Sequence, residues 1–227
     1  MKAVRDSLAD AWWRLNGRCP EFWLLGLAAL GWVAYLHAAL TQPARPLCHA
    51  GADPVHLLTM TAAMMLPTLI EPVRFVAGHS LWKRRHGNIA CFLTGYLSVW
   101  MLWGAGCALL ITAATGLGRA LTIGALVLAA AWQASPWKAR ALRECHRGAS
   151  LATRGWPATR DCLRYGVVIG FACWRGCWAL MLLCAATGHS PIAMIAVTAF
   201  VWWERMPARP GISLRAASLS LFRPHAG

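Results

Sequence analysis

Six runs of mostly apolar residues, at 22–40, 55–76, 89–114, 120–134, 163–187 and 191–206, alternate with short stretches that hold almost all of the charge. A helix rises about 1.5 Å per residue, so about 20 apolar residues cross the ~30 Å hydrocarbon core of a bilayer. The fourth and sixth runs are short, and the sixth ends in Trp202, Trp203 and Glu204. No apolar–polar alternation of period two points to a barrel, and in lipid every backbone amide of an open segment must pair within its own helix. The pattern therefore predicts an all-α fold, a polytopic transmembrane helical bundle of six spans.

Lys and Arg orient that bundle, because they concentrate on the cytoplasmic side. With the first residue inside, only Arg45 and Arg119 fall outside and Arg175 falls within a span, while the other nineteen of the 22 basic residues face the cytoplasm. A miscounted helix would scramble this alternation. Both N- and C-termini are thus expected to be cytoplasmic. Residues 1–21, with Trp12 and Trp13 among Lys2, Arg5, Asp6, Asp10, Arg14 and Arg18, read as an amphipathic segment on the membrane surface and not as a cleaved signal peptide. Residues 22–206 form the transmembrane domain, and 207–227, with Pro207, Pro210 and Gly211, a flexible cytoplasmic tail. The basic connection 135–162 has room for a surface helix.

Composition agrees. Hydrophobic residues make up 58% of the chain and charged ones only 13%, against about 25% in an ordinary soluble domain. The net charge of +14 flanks apolar runs and leaves no aqueous face on which to spread, so nucleic acid is excluded as a partner. The partner implied is the lipid bilayer, and the expected location is the bacterial inner membrane, crossed several times. The oligomeric state is not legible.

Nine Cys and eight Met are the chemically informative residues. Only Cys48 sits in an outside loop, so no disulfide joins those loops and the remaining thiols should be reduced. In the fifth run Cys173, Cys177, Met181 and Cys184 share one helical face with Gly166 and Gly170, small residues that let another helix approach. Two thiols at i and i+4 with a thioether one turn on suit a soft metal such as Cu(I), although buried Cys and Met are also ordinary packing residues. The second run offers a matching face of His56, Met60, Met64 and Glu71, with Met65 alongside and a kink expected at Pro67. Arg175 lies deep in the membrane but opposite Cys173 and Cys177. Glu71 and Glu204 lie toward the cytoplasm, where basic loop residues can pair with them.

In the long loop, Glu144-Cys145-His146-Arg147 sets a thiol beside an imidazole amid positive charge, which favours metal binding or reactivity. Outside, Cys48, His49 and His56 could capture metal weakly. His37, His79, His86 and His225 have no partner pattern. The chain has no phosphate-binding glycine loop, no His-Glu-x-x-His, no Cys-x-x-Cys and no serine elbow, so an enzyme is not expected.

Several strings occur together and in order: Met60-Thr-Ala-Ala-Met64-Met65-Leu-Pro67; Gly95-Tyr96-Leu-Ser-Val-Trp100; Trp132-Gln133-Ala-Ser-Pro136-Trp137-Lys138; Cys145; and Gly170-Phe-Ala-Cys173-Trp-Arg-Gly-Cys177-Trp178-Ala-Leu-Met181. Over roughly residues 55–206 the chain resembles a family of predicted metal-binding integral membrane proteins, some of which are regarded as copper chaperones serving tyrosinase-type copper oxidases. The resemblance implies a membrane-embedded copper chaperone that binds Cu(I) and delivers it to a copper-dependent oxidase, with a copper donor protein as a second partner. By position it implies Met64, Met65, Cys145, Cys173 and Cys177 as metal ligands. To these the residues themselves add Met60, His146 and Met181. The chain departs from the family pattern at Ala141 and Gly176, where further cysteines are usual. A metal-ion transporter using the His56–Met60–Met64 stripe as a path, and an assembly subunit without metal, are the alternative functions.

Overall fold

The computed structural model describes residues 21–41, 54–114, 118–145 and 148–205. Residues 1–20 of the expected surface segment 1–21, the Cys48–His49 pair, His146 and the expected tail 207–227 lie outside the described residues. All regular structure within them is helical: α1 (Phe22–Thr41), α2 (Pro54–Met65), α3 (Ile70–Gly78), α4 (Arg85–Ala113), α5 (Gly118–Ala134), α6 (Pro136–Glu144), α7 (Gly155–Ala186) and α8 (Pro191–Arg205).

Breaks fall where the local chemistry demands them. Pro67 lacks the amide that would continue α2, and a 3-10 turn over Leu66–Leu69 joins α2 to α3 at the expected kink. Pro136 ends α5 in the same way. Ser135 caps the new helix by accepting from the Trp137 amide at 3.1 Å, and α6 leaves α5 at an angle of 72°. The long connection thus carries a helix of its own. Gly188 and His189, both at positive φ, close the C-terminus of α7, with the His189 amide donating to the Cys184 carbonyl at 2.8 Å.

Four helical stretches are long and apolar enough to cross a membrane: Phe22–Thr41, Pro54–Gly78, Trp82–Ala113 and Gly155–Ala186. Together, α5 and α6 pass the same test as one bent pair. The sixth expected span is α8, whose 15 residues reach only about 22 Å. The outward faces are apolar, with Leu30, Val33, Leu102, Leu109, Ile123 and Val127 all exposed. Helix α5 buries only Ala125 and Ala129.

The long helices α4 and α7 form the tightest pair. A Cβ on Gly166 would run into the Phe92 carbonyl oxygen, and one on Gly95 into the Leu163 carbonyl oxygen. Only glycine permits backbones this close. The other elements surround this pair, α5, α6 and α8 against α7 and α2 against α4, while α1 lies against α2.

Candidate functional site

On α7, Gly166, Gly170, Cys173, Cys177, Met181 and Cys184 are all buried, as the shared face requires. Because the glycines draw α4 in, the Tyr96 hydroxyl reaches Cys173 Sγ at 3.1 Å. Cys173 and Cys177, one turn apart, are within hydrogen-bonding range of each other. The last turn of α8 brings in a third partner. Arg205 Nη2 donates to Cys173 Sγ at 2.8 Å and lies 3.6 Å from Cys177 Sγ. Cys145, at the C-terminal cap of α6, is buried within electrostatic reach of both thiols and of Arg205. Burial pushes the Cys145 thiol up to about 12, against the opposing pull of Arg205.

Two of the acids around this group, Glu204 and Glu144, are paired off. Lys138 and Glu204, both buried, form an ion pair at 2.5 Å, and Arg175 pairs with Glu144 on the far side of α7. The expectation that Arg175 avoids the thiol face and that Glu204 meets a basic loop residue is thus met. Glu71 makes no salt bridge among the described residues. Instead it lines a cavity of about 180 Å³ with Pro67, Cys145, Ile169, Trp202 and Arg205. A second cavity of about 130 Å³ also touches Glu71 and Cys145.

The thioethers gather elsewhere. Met60, Met64, Met65 and Met181 line a cavity of about 30 Å³ that His189 and Cys107 share. Trp100 and Trp103 of α4 stand in its wall. The His56 and His189 rings lie 5.6 Å apart, and the Tyr35 hydroxyl donates to the His189 carbonyl. Burial, with His56 nearby, pulls the His189 imidazole down to about 4, so it is neutral at physiological pH.

The structure buries the expected residues that it describes in one cluster, within which two groups can be told apart by what they line. Cys145, Cys173 and Cys177 form the thiol group, and Met60, Met64, Met65 and Met181 the thioether group. Among the described residues, no three or more His, Cys, Asp or Glu side chains are arranged to hold a metal ion. What they offer is a thiol pair with one more thiol near it, a soft and sparse donor set that fits a low-coordinate monovalent ion better than Zn(II). Ala141 and Gly176, the two positions at which the family resemblance leads us to expect further cysteines, are both buried, and Gly176 faces Leu142 of α6.

Sequence reasoning missed Arg205 and His189. Arg205 was assigned to the cytoplasmic flank, yet the buried residues Met194, Val197 and Val201 of α8 lead to it at helical spacing. That stripe is the signal that could have found it. For His189, on a turn beyond α7, periodicity offered no signal.

No curated protein and no solved structure matches the chain. The family model of the PpoB2 copper chaperones matches residues 56–222, which take in every residue of both sulfur groups. With two-thirds and more of its length so matched, the chain belongs to the PpoB2 copper chaperone family.

Proposed function

We propose that this protein is a membrane-embedded, non-catalytic carrier that takes up Cu(I) and delivers it to a copper-dependent oxidase. The observation that carries the reading is the buried pair Cys173–Cys177, held beside Tyr96 and Arg205 in a member of a copper chaperone family. Thiolate and thioether sulfur prefer Cu(I), and sites with two or three such donors exchange their ion readily, as delivery requires.

Location in the bacterial inner membrane, with six crossings and both termini inside, is supported by the alternation of Lys and Arg and by the apolar outer faces of α1, α4 and α5. In that orientation the Met60–Met64–Met65–Met181 cavity, with neutral His189, lies toward the outside, and Cys145 and Glu71 toward the cytoplasm. The methionines then serve as an entry site and the thiols as the tighter holding site. Thioethers bind Cu(I) without releasing a proton, whereas thiols must give one up.

Metal analysis of the full chain purified under reducing conditions tests this. Wild type should carry about one Cu(I), and Cys173→Ser/Cys177→Ser should carry none. Equal copper in the two proteins would end the proposal. Copper flux into sealed vesicles would instead favour a transporter.

A further inference from the structure

We propose that Arg205 sets the valence of the ion held by Cys173 and Cys177, making the pair a site for a monovalent soft cation and disfavouring a divalent one. The inference rests on the reading of these thiols as the copper donors.

A thiol must lose its proton to bind a metal. Two thiolates and one monovalent cation together carry a single negative charge, which burial penalises. A fixed positive charge in contact with the sulfurs cancels it. Arg205 is that charge: guanidinium stays protonated in proteins, and Nη2 lies 2.8 Å from Cys173 Sγ and 3.6 Å from Cys177 Sγ. With a divalent ion the two thiolates are already neutralised, and Arg205 leaves an uncompensated, partly buried positive charge instead. One residue therefore helps Cu(I) and hinders ions such as Zn(II) or Hg(II).

The count holds only if nothing else neutralises Arg205. Glu204, its neighbour in sequence, is bound by Lys138, and Glu144 is bound by Arg175. Arg205 makes no salt bridge to a carboxylate among the described residues. Its Nε is buried without an acceptor there. Glu71, which lines a cavity with Arg205, is exposed and forms no salt bridge with it, so among the described residues the guanidinium is hydrogen-bonded to sulfur and to no acid. Thiolate can accept such a hydrogen bond while binding a metal, so Arg205 need not leave when the ion arrives.

Ag(I) and Hg(II) make the test, since both are soft and both accept two sulfurs in a line, but they differ in charge. Each is offered to the full chain, challenged with glutathione, and counted as metal that Cys173→Ser/Cys177→Ser fails to retain. The ratio of Ag(I) to Hg(II) retained should fall by about tenfold or more in Arg205→Gln, which keeps a donor without the charge, and likewise in Arg205→Met. Arg205→Lys should keep the wild-type ratio. An unchanged ratio in both neutral variants, or a Lys variant that behaves like them, overturns the valence role while leaving the copper reading standing. Retention of Ag(I) that does not depend on the two cysteines overturns both.

Discussion

Lys138 Nζ meets both carboxylate oxygens of Glu204, at 2.5 and 2.6 Å, with each side chain almost wholly buried. The pair ties α6 to α8 one residue before Arg205. This gives a structural role to the Lys138 end of the Gln133–Pro136–Lys138 motif, for which sequence alone offered none.

Removing one partner of a buried ion pair strands the other charge, at a cost of about 3–5 kcal/mol. Lys138→Met should therefore lower the unfolding midpoint in detergent sharply, and Lys138→Met/Glu204→Met should recover most of the loss. Because the same pair steadies the last turn of α8, the single variant should also lose copper. A single variant as stable as wild type would show that the pair carries little energy.

How much of this was legible depended on whether a residue's role repeats along a helix. The buried face of α7, the kink at Pro67 and the close approach at Gly166 and Gly170 all follow from spacing, and each is found. The cavity shared by Met60, Met64, Met65 and Met181 does not follow, because depth in the membrane says nothing about which neighbouring helix closes it. Trp100 and Trp103 stand in its wall, and only tertiary packing reveals it. The lengths of α5 and α8 were legible as short runs. The 72° turn into α6 and the return of Arg205 to the thiols were not, since both depend on how a helix end is aimed.

The α4–α7 contact is a second point of leverage. A methyl group at Gly166 meets backbone, which cannot rotate away, so Gly166→Ala should cost about 1–3 kcal/mol as overpacking and shift Tyr96 from Cys173. Nothing lies within 4 Å of a Cβ at Gly26, so Gly26→Ala should be neutral or stabilising by up to about 1 kcal/mol. Thermal unfolding of the two variants side by side checks the contrast. Equal midpoints would mean that the helices part without penalty.

His189 predicts a dependence on pH. Its folded value is held at about 4, below the ordinary 6.5, so the unfolded chain takes up a proton that the folded chain refuses. Its contribution is complete above pH 6.5 and is lost as pH falls toward 4. Unfolding midpoints should decline across that window. The decline should be shallower in His189→Asn, since Asn tolerates positive φ and does not titrate there. The same slope in both proteins would remove His189 as the cause.

The outer cavity can be tested without disturbing the fold, because Met and Leu are close in volume and such exchanges usually cost less than about 1.5 kcal/mol. Leu has no sulfur. Met60→Leu/Met64→Leu should unfold near the wild-type midpoint but load Cu(I) more slowly from outside reconstituted vesicles, while its final copper content, set by Cys173 and Cys177, should stay near that of wild type. The combination of slow filling and unchanged capacity distinguishes an entry site from a holding site. Slower filling with lower capacity would make the methionines part of the final site, and unchanged filling would leave them as packing for α2 alone.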